Sequence, residues 1–119
     1  ERESTKVFAS EDPLVKQAVQ FIRANATSGI NVLDVLGHIA ASRRNLEIRF
    51  KEEMGRSLHD EIVRVRLEHA KILLRTTSLT VANVASESGF GTLQRFHALF
   101  KEWAGTSPGS FRNTAISRN

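Results

Sequence analysis

Ser57–Thr77, SLHDEIVRVRLEHAKILLRTT, decides the fold. It reads as one long helix of roughly 18 residues, about 27 Å from end to end. Ser57 is placed to cap its start, with Asp60 as a weak capping-box partner. Val63, Leu67, Ala70 and Leu74 recur at helical spacing and form one apolar stripe. Leu58, Ile62, Val65, His69 and Ile72 form a second, about 130° away on a projection of 100° per residue. Asp60, Glu61, Arg64, Glu68, Lys71 and Arg75 share the remaining, solvated face, and Arg66 projects between the stripes. A helix with two apolar stripes packs on two sides, so this one is expected to join a body before Ser57 to a body after Thr77.

Composition agrees with that plan. A chain of 119 residues fits one ordinary domain or two very small ones sharing a connector. With 40% hydrophobic and 25% charged residues it belongs among globular chains. Tyr is absent, Pro occurs twice, and no period-2 β-branched run appears, so the expected class is all-α. There is no Cys, which excludes disulfides, thiolate metal sites and cysteine nucleophiles. His38, His59 and His69 have no metal-ligand spacing with carboxylates, so neither a metal nor a cofactor is expected. The net charge of +4 leans towards a polyanionic partner. No apolar run approaches the ~20 residues a membrane helix needs, and a cytoplasmic protein is expected.

Residues 1–11 are polar and aperiodic and read as a linker from a longer protein. Residues 12–56 read as a first subdomain. Asp12 and Pro13 open a helix whose inward residues are Val15, Ala18, Val19, Ile22 and Ala26. A short helix from about Val32 to Ala40 follows, with Leu33, Leu36 and Ile39 expected inward. Ser42 then caps a third helix, closed by Gly55. After the connector (57–77), residues 78–113 read as a second subdomain. Thr80 caps a short helix stopping at Gly89, Thr92 caps a longer one stopping at Gly105, and Ser107-Pro108 starts the last helix. Residues 114–119 read as a polar tail.

The chain repeats itself. FKEEMGRS at Phe50–Ser57 recurs as FKEWAGTS at Phe100–Ser107, with five of eight positions identical at an offset of 50. Ser42 matches Thr92 and Leu46 matches Phe96. Each copy is a short helix, a turn and a longer capped helix, the plan of a helix-turn-helix whose second helix enters the major groove of DNA. Such a unit needs a small residue where its helices cross, which Ala85 supplies, and a turn residue tolerant of positive φ, which Gly89 supplies. Phe96, Leu99, Phe100 and Trp103 should face the core of the second copy; Leu46, Phe50 and Met54 that of the first. The opposite faces carry Arg44, Glu47, Ile48 and Lys51 in one and Gln94, His97, Ala98 and Lys101 in the other. Ile48 stands out, because an isoleucine on a polar face suits a thymine methyl group.

The second half, NVASESGFGTLQRFHALFKEWAGTSPGSFR, resembles the signature of the AraC/XylS family of bacterial transcription regulators, through Val84, Ala85, Gly89, Phe90, Thr92, Phe96, Phe100, Lys101, Gly105, Pro108, Phe111 and Arg112. The family's Arg-Leu-x-x-Ala pattern appears as Arg66, Leu67 and Ala70. The likeness covers about residues 13–113, and its first half is most similar to the family's xylose-operon activators. It implies a seven-helix module of two helix-turn-helix subdomains joined by a linker helix, with recognition helices at about 43–54 and 93–104 in successive major grooves. A connector of about 27 Å is of the right order for grooves about one DNA turn, roughly 34 Å, apart. It also implies control of sugar-utilisation genes, with the effector sugar sensed by a domain outside this stretch. The first copy departs from the family pattern. Leu36 replaces its small residue and Ala40 its turn glycine, so that unit is expected to pack less tightly or tilt differently. Gly91 and Leu93 are also uncommon choices.

Residue chemistry divides the interface. Arg44 can bind guanine O6 and N7 as a fork, and Gln94 can bind adenine N6 and N7. Glu47 either accepts from cytosine N4 or pairs with Arg43 or Lys51 along its helix. Ile48, His97 and Ala98 complete the expected base contacts. Ser42, Arg43, Asn45, Arg49, Lys51, Thr92, Arg95 and Lys101 are expected on phosphates. Arg66, Ala85, Gly89, Phe96, Phe100, Trp103 and Pro108 are assigned to structure, with Glu87 or Asp34 as partners for Arg66. No clustered nucleophile and base is apparent, so an enzyme is not expected. The competing class is a helical protein-interaction module contacting RNA polymerase or another regulator subunit.

Overall fold

The computed structural model describes residues 12–117; the expected linker, 1–11, and the end of the expected tail, 118–119, lie outside the described residues. Every regular element among the described residues is helical. Seven α-helices follow in order: α1 (Pro13–Asn25), α2 (Val32–His38), α3 (Arg43–Met54), α4 (Leu58–Thr76), α5 (Val81–Glu87), α6 (Leu93–Ala104) and α7 (Pro108–Ser117), with a 3₁₀ turn at Ala26–Ser28. None is long and apolar enough to cross a membrane. The chain divides into two compact units whose boundary falls inside α4, between Val63 and Arg64; Thr27–Gly29 is grouped with the second.

The first unit is built on α1. Asp12 caps it, its carboxylate accepting from the Leu14 N–H at 3.0 Å. All five residues of the α1 stripe, Val15, Ala18, Val19, Ile22 and Ala26, are buried. Val35 and Ile39 of the second helical segment, Leu46 and Phe50 of α3, and Leu58 and Ile62 of α4 are buried in the same unit. Asn31 and Asp34 form a reciprocal capping box that starts α2. α2 ends at His38, two residues before the expected Ala40. Leu33 was expected inward and is 64% exposed; Val35 is the buried residue of this helix. With the box fixing the start at Val32, two turns place Val35 and the following Ile39 on the inner face and leave Leu33 outside.

The second unit is organised by aromatic rings. Phe90 and Phe96 lie 5.0 Å apart, and Phe100 takes Phe96, Trp103 and Phe111 edge-on at 5.6, 5.7 and 5.6 Å. Leu67, Ala70 and Leu74 of α4 and Val84 and Ala85 of α5 are buried with them. Trp103, assigned to the core, is instead 36% exposed. It sits in the last turn of α6, where one edge packs on Phe100 and the Lys71 ammonium lies 5.7 Å from its ring centre. α7 continues to Ser117, through the start of the expected tail.

Two expectations about the long helix fail, each for its own reason. The stripes act in succession along its axis, not side by side. Leu58 and Ile62 are buried in the first unit, and Leu67, Ala70 and Leu74 in the second. Ile72, last of the projected second stripe, therefore has no core to enter and is exposed. Glu61, placed by projection on the solvated face, is fully buried, and Arg56 Nη1 donates to its Oε1 at 2.9 Å.

The two helix-turn-helix turns are built differently. α5 ends in a Schellman motif: the Phe90 N–H reaches the Ala85 carbonyl (3.0 Å), the Gly89 N–H reaches that of Ser86 (3.2 Å), and Gly89 has φ 93°. Four residues, Ser88–Gly91, separate α5 from its successor's cap, Thr92. In the first unit only Ile39–Ala41 separate α2 from Ser42. The shorter turn leaves the helix through an extended Ile39 (φ −110°, ψ 130°) and has no left-handed residue. Ala40 is thus accommodated where the second copy needs glycine.

Candidate nucleic-acid interface

α3 and α6 are one local design used twice. The Ser42 hydroxyl accepts from the Asn45 N–H (3.2 Å) and the Thr92 hydroxyl from the Arg95 N–H (3.1 Å). Each of these hydroxyls keeps its own proton to donate outward. At the far ends Gly55 and Gly105 adopt φ 77° and 82°, and their N–H groups close on the carbonyls of Lys51 and Lys101, both at 2.8 Å. Leu46 with Phe50, and Phe96 with Phe100, are fully buried and fix the rotation of each helix about its axis. Met54 and Leu99 are only half-buried. The rotation so fixed turns the remaining faces to solvent.

On α3 the outward face gathers three of the expected base readers. Arg43, Arg44, Glu47 and Ile48 line one open surface depression. Arg44 and Lys51 are exposed, Glu47 half-buried, and Ile48 46% exposed. Of the alternatives for Glu47, the structure contains the pair with Arg43, Nε to Oε2 at 3.1 Å. Both side chains are largely in water, where such a pair contributes about 0–1 kcal/mol. Two expected phosphate contacts are engaged elsewhere: Arg49 donates from Nε to Asn45 Oδ1 (3.2 Å) and from Nη1 to Asp12 Oδ2 (3.3 Å). They brace α3 against the start of α1.

On α6, Gln94, Arg95, His97, Ala98 and Lys101 are all exposed. Arg66 of α4 is buried, 8% exposed. Burial first, and then the positive charge of Arg95, push its guanidinium below the usual range. Ala85 of α5 is buried, and Pro108, also buried, begins α7. Leu93, the first residue of α6, stands three residues before Phe96 and seven before Phe100, on the side of the helix that they bury, and is 45% exposed at the helix's end.

No group of three or more His, Cys, Asp or Glu residues able to hold a metal occurs among the described residues. Each unit instead exposes cations, an amide and an isolated apolar group on the outer face of its own capped helix. This chemistry suits a polyanion whose surface carries hydrogen-bonding edges and methyl groups.

Known proteins share this arrangement. A family profile described as a helix-turn-helix domain matches residues 37–114. The xylose operon regulatory protein of Escherichia coli (strain K12) is 41% identical over 113 residues, which are 95% of this chain and 29% of that protein. The chain therefore spans under a third of that relative's length. Among solved structures, the xylose-binding transcription activator xylR superposes with a TM-score of 0.78 at 40% identity, over 89% of this chain and 28% of that one. The DNA-binding domain of AdpA, a global transcriptional factor solved in complex with a target DNA, superposes with a TM-score of 0.84 at 25% identity, over 92% and 97%. The chain belongs to the AraC family of helix-turn-helix domains.

Proposed function

We propose that this chain is the sequence-specific, double-stranded DNA-binding module of a bacterial transcription regulator, working in the cytoplasm and catalysing no reaction. The observation that carries this reading is the repeat itself. Two helices with the same caps and the same buried aromatic or aliphatic anchors each present a basic, amide-bearing face to solvent. Arg44, Glu47, Ile48, Gln94, His97 and Ala98 are the proposed base readers; Ser42, Arg43, Lys51, Thr92, Arg95 and Lys101 the proposed phosphate contacts. Asn45 and Arg49 are also proposed phosphate contacts, through the Asn45 Nδ2 and Arg49 Nη2 protons that the bracing contacts do not use. Likeness to a xylose operon regulator supports control of genes for xylose or a related sugar. The sugar itself would be sensed by a part of the regulator outside this chain.

Selection of binding sites from a random duplex library tests the reading. Recovery of two conserved boxes, one for each recognition helix, is the expected result. A single box means that one unit reads sequence while the other grips only phosphate. No enrichment of any sequence overturns the proposal.

A second reading, contact with a protein such as RNA polymerase, is favoured by the cleft that Lys71, Trp103, Ala104 and Phe111 line in the second unit. Substitutions there that abolish transcription while leaving DNA affinity intact would support it.

A further inference from the structure

We infer that the first unit reads a guanine and a thymine within two base pairs of each other, with Arg44 and Ile48 acting as one ridge of α3. The inference rests on the DNA-binding reading above and deepens it, naming the bases and making Ile48 a specificity-determining residue. Ile48 stands two residues from Leu46 and two from Phe50, the fully buried anchors of this helix. At 100° per residue it projects about 200° from each, away from the core. It lies midway along α3, so its 46% exposure is not that of a helix end. A single exposed isoleucine needs no explanation by itself. This one adds nothing to the buried core, and its helix propensity is below that of Glu47 and Arg49, which flank it. It also lines an open depression together with Arg43, Arg44 and Glu47.

The spacing narrows the ligand. Arg44 and Ile48 are four residues apart, so their side chains are neighbours on the surface of α3. They lie about 6 Å apart along the helix axis, less than two base steps of roughly 3.4 Å each. Both are exposed. A guanidinium fork matches guanine O6 and N7, and an apolar group beside it matches thymine, which carries the only methyl group in the major groove. An isoleucine side chain offers no hydrogen bond, so it discriminates by taking that methyl group out of water. The second unit is built otherwise. Its residues at the repeat positions are Gln94, an amide suited to adenine, and Ala98, which ends at a single methyl group. The two boxes should therefore differ in sequence, and that asymmetry fixes the direction in which the module lies on its site.

The test uses the selected duplex. Each thymine is replaced in turn by deoxyuridine, which removes only the methyl group, and each guanine by 7-deazaguanine, which removes the N7 acceptor. Wild-type protein should lose about fourfold in affinity at one thymine, the factor for one buried methyl group. Ile48→Ala should bind the parent duplex more weakly by at least that factor and be indifferent to uracil at that position. It should melt no lower than wild type, because Ile48 lies outside the core. Ile48→Val keeps the branched carbons nearest the helix and should retain part of the uracil sensitivity. Within two base pairs of the same thymine, 7-deazaguanine should weaken wild type but not Arg44→Ala. Equal sensitivity of wild type and Ile48→Ala to uracil at every thymine, or unchanged affinity of Ile48→Ala, overturns the inference while leaving the DNA-binding reading intact. A sensitive thymine with no guanine read by Arg44 within two base pairs does the same. Failure to select any site overturns both.

Discussion

Arg112 closes the end of the helix that carries Leu74. Its Nε donates to the Leu74 carbonyl at 3.1 Å and its Nη2 to the Thr77 carbonyl at 3.2 Å. The last carbonyls of a helix have no partner within it, and a cation there also meets the negative end of the helix dipole. One side chain from α7 thereby satisfies the C-terminus of α4. Arg112→Ala should destabilise the second unit by about 1–3 kcal/mol, the range for hydrogen bonds to a charged group. Arg112→Lys should recover only a fraction, because an ammonium does not reproduce the two-pronged geometry. The chain's single tryptophan, Trp103, lies in this unit, so fluorescence-detected urea unfolding reports on it directly.

In the first unit the buried Glu61 carboxylate is paired with a cation. Arg56 Nη1 lies 2.9 Å from its carboxylate, and the arginine is partly open to water. Arg56→Ala should cost about 1–3 kcal/mol by circular-dichroism-detected unfolding, less than the loss of a partner from a fully buried pair. Glu61→Gln in the same background should restore part of the loss by removing the charge. Strictly additive single and double variants would mean that the pair contributes nothing as a pair.

Gly89 is the position where the two turns differ most in what they tolerate. Its φ of 93° is open to glycine and strained for any residue with a Cβ. Gly89→Ala should therefore lower stability by at least ~1 kcal/mol, beyond the usual Gly-to-Ala gain from a stiffer unfolded chain. Ala40→Gly in the shorter first turn, which uses no left-handed residue, should cost well under that. Thermal melts of the two variants compare them directly.

These turns also show what a sequence reveals and what it withholds. The caps at Asp12, Ser42, Thr80 and Thr92 were legible because each needs a particular side chain next to a helical pattern. The α1 stripe and the anchors Leu46, Phe50, Phe96 and Phe100 were legible because periodicity records which face is buried. Periodicity does not record how far a core extends along a helix. Trp103 and Ile72 keep the right angular position but lie beyond the core that would cover them. It also ignores side chains arriving from elsewhere, such as Arg56, which pairs with Glu61 on what the projection marks as the solvated face. The exposure of Arg44, Gln94, His97 and Ala98 on the two capped helices was legible from the repeat. The tether of Arg49 to Asp12, 37 positions away, was not, because neither residue carries a mark of the other.

Base readers and phosphate contacts should separate by their response to sequence and salt. Arg44 and Gln94 are exposed on the outer faces of α3 and α6, within the first two residues of each helix. Arg44→Ala and Gln94→Ala should each cost about 1–3 kcal/mol on the selected duplex and relax one base position. On random DNA, Gln94→Ala should change almost nothing, because it removes no charge. Lys101 lies at the opposite end of α6, in its last turn. Lys101→Ala should weaken binding by a similar factor on every sequence and reduce the slope of log affinity against log salt by about one. Anisotropy titrations on selected and random duplexes at several salt concentrations make the distinction. Equal losses for Gln94→Ala on both duplexes would remove it from the base readers, and an unchanged salt slope for Lys101→Ala would remove Lys101 from the phosphate contacts.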